Sequence, residues 1–319
     1  MTWIVTGGAG FIGAHVVHLL SAAQEVVVFD DLSTGLAERL PSSVPVVEGS
    51  VASPGDLARL FARYSATGVV HLAARKSAPD RSGFRSDNVD GVRNLVEAMT
   101  HAGVDRLLFA SSAAVYGESG STPAAEDQPL EPVNPYGLTK LEGERIIEGT
   151  SLRSIALRQF NVIGAGSHPF AADTGPAALL PAVFRALTTP SRTLVVQGHD
   201  YPTTDGSAVR DYVHVLDVAR AYARGVELLS SLPEAAHLAV NVASGRGTSV
   251  LELVHLTSKI AGTEVPYTVG DRRPGDAVSV VADVTRAAAL GFASRHPLDD
   301  AVESAWQSWA CEHAQRVPR

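Results

Sequence analysis

Short apolar, largely β-branched runs alternate along the first half of the chain with helix-length stretches rich in Ala, Leu, Arg and Glu. The runs are Trp3–Val5, Glu25–Phe29, Pro45–Glu48, Gly68–Leu72, Arg106–Ala110 and Ser154–Leu157. Between them fall Gly13–Ala22, Pro54–Tyr64, Val89–His101 and Tyr136–Glu148. This alternation predicts βαβ units around a parallel sheet. The runs are apolar almost throughout, as strands are when helices cover both faces.

The pattern loosens after Asn161. Gly, Pro, Ser and Asp cluster through Gly164–Pro176 and again through Gly198–Ser207. A strand is expected at Asp211–Val215, followed by a helix that Asp217 can cap, and another strand at Ala239–Val242. The fold class read from this is α/β: a Rossmann-type, doubly wound parallel sheet with a smaller C-terminal substrate-binding region. Residues 1–164 form the Rossmann domain, elements near 209–230 and 239–243 return to it, and 165–319 form the second region.

Composition narrows the setting. A chain of 319 residues with 45% hydrophobic content can bury a large core. Its net charge of −8, without a Lys/Arg run, argues against a nucleic-acid or anionic-membrane partner. The single cysteine, Cys311, excludes a disulfide within the chain, which fits a reducing compartment, and a plain helix position suits it better than a reactive one. No apolar stretch nears the roughly 20 residues of a membrane span. Thr2–Thr6 already reads as the first strand, so no targeting segment fits ahead of it and a cytoplasmic protein is expected.

Candidate chemistry begins after that first strand. Thr6-Gly7-Gly8-Ala9-Gly10-Phe11-Ile12-Gly13 opens a helix and places Gly7, Gly10 and Gly13 at three-residue intervals. One glycine serves the tight turn, one the approach of a pyrophosphate, one the close packing of helix on strand. The helix N-terminus adds free N–H groups for phosphate. Glycine turns alone are common; the strand-to-helix setting makes this one a dinucleotide loop. Asp30 ends the second strand. Within Asp30–Gly35 it would pass for a turn residue, but downstream of that loop it suits the two ribose hydroxyls and repels a 2′-phosphate, which selects NAD over NADP.

A second constellation concerns the reaction. Asn134-Pro135-Tyr136-Gly137-Leu138-Thr139-Lys140 has the cap and first-turn proline of a helix start. Tyr136 and Lys140, four apart, share one helix face. A tyrosine is a poor base at its usual pKa of about 10. An ammonium beside it and a cationic nicotinamide would favour the phenolate. An exposed Tyr beside a surface Lys would give the same spacing by chance. What lowers those odds is Ser111-Ser112-Ala113-Ala114-Val115-Tyr116-Gly117, which follows a strand and so directs a hydroxyl toward the crevice at the sheet's carboxyl edge. Ser112 can bond the reacting oxygen; Ser111 is assigned to the backbone or the cofactor.

The glycine loop, Asp30, the Ser-Ser-Ala-x-Val-Tyr-Gly segment and the Tyr-x-x-x-Lys pair together resemble the extended short-chain dehydrogenase/reductases. Within them the chain is similar to the UDP-glucose 4-epimerases. The segments carrying this are His71–Lys76, Asp87–Gly91, Arg158-Gln159-Phe160-Asn161 and Gly198–Gly206 continuing into Val209–Val215. The likeness implies a catalytic triad of Ser112, Tyr136 and Lys140. It implies NAD contacts from Gly7, Gly10, Phe11, Ile12, Gly13, Asp30, Asp31, Leu72, Ala73, Ala74, Lys76, Asn88, Tyr136, Lys140 and Phe160. It implies a UDP-sugar held by Lys76, Ser112, Tyr136, Asn161, Arg210 and Arg273, the two arginines on the diphosphate. Without it, Arg210 would read as a salt bridge with Asp211, Arg273 as a solvated turn and Lys76 as a surface lysine.

The implied activity is NAD-dependent 4-epimerisation of a UDP-hexose through a transient 4-keto sugar, with Tyr136 as base, in a homodimer joined through two helices per subunit. Four positions depart from the family's usual residues, Gln159, Ala178, Ser50 and Gln197, and Val280 stands where some members have tyrosine and others a smaller residue. They leave a uronate or secondary-metabolite nucleotide sugar open. A small residue such as Val280 leaves room for an N-acetyl group. A 4,6-dehydratase would carry an acidic pair where Ala113-Ala114 stand. The non-enzymatic rival is a dinucleotide sensor on the same fold, against which the intact Ser112, Tyr136 and Lys140 argue.

Overall fold

The structure is a computed structural model that describes residues 2–76, 84–118, 122–168, 170–176, 178–273 and 275–316. Its centre is a seven-stranded parallel sheet. In chain order the strands are β1 (Thr2–Thr6), β2 (Glu25–Asp30), β3 (Val46–Glu48), β4 (Ala66–His71), β5 (Arg106–Ser112), β6 (Arg153–Gln159) and, far along the chain, β10 (His237–Val242). Across the sheet they run β3-β2-β1-β4-β5-β6-β10, so the order reverses between β1 and β4. In such sheets ligands bind at that reversal, beyond the carboxyl ends of the strands.

Alternation along each strand builds two cores. Trp3, Val5, Val28 and Val70 face helices α1 (Phe11–Leu20) and α6 (Val215–Leu229), with Val16, Val17, Val218, Tyr222 and Val226. Ile4, Val27, Phe29, Val69, Leu107 and Phe109 point the other way, onto α2 (Pro54–Arg63), α3 (Gly91–His101) and α4 (Pro135–Glu148) through Leu57, Leu60, Leu95, Met99 and Ile147. A π turn over Ser86–Asp90 leads into α3, so the helix expected from Val89 starts two residues later.

The strand expected near 211 does not return to this sheet. β9 (Val209–His214) is the centre of a second sheet with β7 (Asn161–Ile163), β11 (Gly247–Ser249) and β13 (Ser279–Val280). Its helix α6 does pack on the main sheet, beside α1. The cap of α6 also differs from expectation. His214 caps it, Nδ1 accepting from Leu216 N at 3.0 Å. Asp217 instead lies in the first turn and holds the backbone N–H groups of Arg295 and His296 at 2.9 and 3.0 Å. A third core joins α5 (Leu179–Thr188), α7 (Val250–Ala261) and, past the short α8 (Thr285–Ala289), α9 (Leu298–Arg316) with the pair β8 (Leu194–Gln197) and β12 (Tyr267–Gly270). Cys311 is exposed on α9. The chain passes from β6 to β7 across Phe160 alone, so Gln159, Phe160 and Asn161 sit where the two sheets meet.

Candidate active site

The glycine loop is built for closeness. Gly7 has φ +68°, and a Cβ on it would lie 2.5 Å from the Ala73 backbone nitrogen. A Cβ on Gly13 would lie 2.1 Å from the Gly7 carbonyl oxygen. Only hydrogen fits at either position. Helix α1 starts at Gly10 with no side-chain cap, whereas α2, α4 and α7 are capped by Ser53, Asn134 and Ser249. Its first-turn N–H groups are left for an anion.

Asp30 is buried at the end of β2, and burial raises its pKa. Its carboxylate accepts from Ala9 N and Leu32 N, both at 2.9 Å, which fixes its orientation and uses about two of its four acceptor positions. Asp31 is exposed and accepts from Ser33 N at 3.0 Å. Leu72, Ala73 and Ala74 follow β4 beside Gly7. Asn88 is buried and turned to its own chain: Oδ1 accepts from Arg75 N, and Nδ2 donates to Arg75 O and Thr139 Oγ1. It therefore ties the loop after β4 to α4. An uncapped helix start, a cradle that a Cβ would fill and an oriented carboxylate at the next strand end are together what an adenine dinucleotide requires.

Beyond the reversal point opens a cavity of about 1130 Å³. All six residues assigned to the sugar nucleotide line it: Lys76, Ser112, Tyr136, Asn161, Arg210 and Arg273. Ile12 and Phe160 reach it from the cofactor set. Of the four departures, Gln159, Ala178 and Gln197 are on its wall, as is Val280, and Ser50 is not. Val280 and Arg210 are register partners in the second sheet. Arg210 is held by Val209 O and Ala277 O at 2.8 and 2.9 Å, with Asp276 3.9 Å from its Nη2. Asp211, the partner that sequence would offer it, is buried and accepts from Ser244, Gly245 and Ala282 instead. Arg273 and Lys76 are exposed at the rim.

The reactive pair stands as the helix spacing requires. Asn134 Oδ1 caps α4 at Gly137 N, 2.8 Å. A Cβ on Gly137 would lie 2.3 Å from the Ala114 carbonyl oxygen, so the start of α4 presses against the segment after β5. That brings the Ser112 hydroxyl to the Tyr136 phenol. Lys140 Nζ is 5.8 Å from the Tyr136 ring centre and 5.0 Å from that of Phe109. Burial pushes Tyr136 up to about 12, with the Ser112 bond pulling down. It pushes Lys140 down to about 7, helped by Lys76 and opposed by Glu144. In the protein alone, burial therefore outweighs the lowering of the Tyr136 pKa that sequence predicts, and a phenolate there needs a further positive charge.

Sequence reasoning missed several groups. Ser111, assigned to the backbone or the cofactor, donates its hydroxyl to the Glu144 carboxylate, a side-chain partner that sequence did not offer. Gln159 donates to the Tyr222 phenol. Asp276 lines the cavity beside Arg210. Its place in Arg272-Arg273-Pro274-Gly275-Asp276 was the available signal.

The family model of the NAD dependent epimerase/dehydratase family matches residues 3–242. The chain belongs to that family. It is 37% identical to the UDP-glucose 4-epimerase of Azospirillum brasilense, over 98% of this chain and 93% of that one. In structure it is similar to the UDP-glucose-4-epimerase of Stenotrophomonas maltophila with bound NAD and formylated UDP-arabinopyranose: TM-score 0.89, 33% identity, 98% of this chain and 99% of that one. The UDP-glucose 4-epimerase of Brucella ovis in complex with NAD matches with TM-score 0.88 and 35% identity, over 96% and 97% of the two chains.

Proposed function

We propose that this chain is an NAD-dependent 4-epimerase of UDP-hexoses, interconverting UDP-glucose and UDP-galactose. The observation that carries this reading is the convergence on one cavity of Ser112, Tyr136, Lys76, Asn161, Arg210 and Arg273, beside a loop that fits a dinucleotide. Residues 1–164 hold the cofactor and bring Lys76, Ser112, Tyr136 and Asn161 to the sugar nucleotide, and 165–319, the substrate-binding region, bring Arg210 and Arg273 to its diphosphate. Gly7, Gly10, Phe11, Ile12 and Gly13 would cradle the pyrophosphate, with Leu72, Ala73 and Ala74 behind them. Asp30 would take the ribose hydroxyls, Asp31 would stand beside it, and Phe160 would pack on the nicotinamide side. Asn88 acts by fixing the loop that carries Lys76.

NAD, when bound, supplies the hydride acceptor and donor and, in its oxidised form, a cationic ring. Tyr136 takes the proton of the C4 hydroxyl, and Ser112 hydrogen-bonds the same oxygen. Lys140 balances the phenolate charge. Arg210 and Arg273 hold the diphosphate, and Asn161 and Lys76 line the hexose end. The hexose must present both faces between the two proton transfers. The open cavity beside Ser112 and Tyr136 supports that movement. Once the hexose has presented its other face, Tyr136 returns the proton to the C4 oxygen.

Val280 leaves space on the wall, so N-acetylated UDP-hexoses are substrates as well. The protein acts in the cytoplasm as a homodimer. The one cysteine supports the reducing compartment, and among the described residues no helix is long and apolar enough to cross a membrane. The test is incubation with a panel of UDP-sugars and NMR of the products. UDP-galactose and UDP-glucose should equilibrate. NAD binding without turnover of any nucleotide sugar would make this chain a dinucleotide sensor instead.

A further inference from the structure

One turn below the Tyr136–Lys140 pair lies a buried ion pair that the chemistry above does not use. Glu144 follows Lys140 by four residues on α4, on the same face. Lys140 is 2% exposed and Glu144 3%. The Glu144 carboxylate accepts from Arg158 twice, from Nε at 3.0 Å and Nη2 at 2.7 Å, and from the Ser111 hydroxyl. Arg158 Nη1 goes to the Tyr116 phenol and the Glu126 carbonyl, 3.1 and 2.9 Å. Three elements that carry site groups thus meet at one carboxylate: β5 through Ser111, α4 through Glu144 and β6 through Arg158. The chain neighbours of Ser111 and Arg158 are Ser112 and Gln159, both on the cavity wall.

Packing alone does not require charge here. Each buried ion loses its hydration, and an apolar pair of the same shape is often as stable. The electrostatics around Lys140 give the pair a use. Lys76 opposes the Lys140 charge and Glu144 supports it. His71, behind Phe109 at the end of β4, is kept neutral by burial and by Lys140. Tyr222 of α6 faces Tyr136 as a buried phenol held by Gln159. Glu126 is turned away, to Asn241 N and Arg286. Glu148 and His237 face Glu144 across a gap of about 40 Å³. Glu144 is therefore the anion placed to act on Lys140.

We propose that Glu144 is a positioning residue for the proton exchange: clamped by Ser111 and Arg158, its carboxylate is the fixed anion that holds Lys140 as an ammonium beneath Tyr136. The proposal rests on Tyr136 being the base. Two arrangements of the pair carry the same single proton, phenolate with ammonium or phenol with neutral amine. Only the first accepts a proton from the sugar. Glu144 is about 6 Å along the helix from Lys140 and about 12 Å from Tyr136, so its charge favours the ammonium more than it disfavours the phenolate.

The test is kcat and KM for UDP-galactose against pH, in wild type, Glu144→Gln, Glu144→Asp and the double variant Glu144→Gln/Arg158→Met. Glu144→Gln should lower the plateau of kcat at least about tenfold, with KM within about threefold. Its acid limb should also move down by about half a pH unit or more, because a cationic pair without its anion loses a proton more readily. Glu144→Asp, which keeps the charge, should restore the wild-type limb. The double variant removes both buried charges, so it answers if Glu144→Gln fails to fold; it should fold and keep a limb displaced to lower pH. A wild-type limb in the folded double variant, or a loss of kcat in Glu144→Gln with no movement of the limb, overturns the proposal and leaves Glu144 a packing residue. Inactive wild-type protein, or active Tyr136→Phe, would instead remove the assignment beneath it.

Discussion

Acid should destabilise this protein well before its carboxylates titrate, through three buried histidines. His15 donates from Nδ1 to Phe11 O at 2.8 Å and accepts at Nε2 from Gly166 N at 2.9 Å. His214 accepts at Nδ1 from Leu216 N at 3.0 Å and meets Ser304 Oγ at 3.1 Å through Nε2. In each, a backbone N–H occupies one ring nitrogen, so the added proton of an imidazolium would meet another donor. His71 bonds Thr6 Oγ1 at 2.6 Å through Nδ1, and its Nε2 is buried without a hydrogen-bond partner. Burial pushes His15 and His71 down to about 3 and His214 to about 4. Their unfolded value is about 6.5. The folded pKa is the lower one, so the unfolded chain binds more protons between the two values and stability falls as pH falls through 6.5. From pH 7 to pH 5 the loss is about 2 kcal/mol for each histidine and about 6 kcal/mol for the three, of the order of half a typical domain stability. Urea unfolding followed by circular dichroism at pH 7, 6 and 5 measures it. His15→Gln should be less stable at pH 7 and lose about one third of the pH slope. A stability that stays flat from pH 7 to 5, or an unchanged slope in His15→Gln, would refute the reasoning.

Gly13→Ala sets a methyl against the backbone of Gly7 and Gly8, which cannot yield as a side chain would. It should cost about 2–3 kcal/mol and abolish NAD binding, seen in thermal unfolding and in a dinucleotide titration. Arg210→Met should raise KM for UDP-galactose at least about tenfold while leaving kcat within a few-fold, because the lost bonds hold the diphosphate in ground and transition states alike. Val280→Tyr should remove turnover of N-acetylated UDP-hexoses and keep UDP-galactose within about threefold. Wild-type protein that epimerises UDP-galactose well and neither N-acetyl sugar contradicts the role given to Val280.

What sequence made legible was local. The loop Gly7–Gly13, Asp30 at a strand end and the four-residue interval from Tyr136 to Lys140 depend on spacing within one turn or one βα unit, and spacing is what a sequence displays. The element boundaries moved little: α1 begins at Phe11 rather than Gly13, and β4 at Ala66 rather than Gly68. The misses needed contacts between distant segments. β9 is apolar enough for the main sheet, but its partners are β7, β11 and β13. Asp217 has the composition of a helix cap, yet the backbone at 295–296 claims its carboxylate. Ser111 and Glu144, 33 positions apart, meet only when α4 lies against β5. The strong lowering of Lys140 could not be anticipated either, since it follows from burial and from Lys76, not from the motif.

The fate of the C4 hydrogen tests reversible oxidation at C4 most directly. UDP-galactose deuterated at C4 is incubated with the protein in ordinary water, and the equilibrated UDP-glucose is read by NMR and mass spectrometry. The deuterium should stay at C4, since only the hydroxyl proton passes through Tyr136, and Tyr136→Phe should yield almost no product while keeping the wild-type fold. Loss of the label to solvent during inversion, or epimerisation that survives Tyr136→Phe at the wild-type rate, would contradict it.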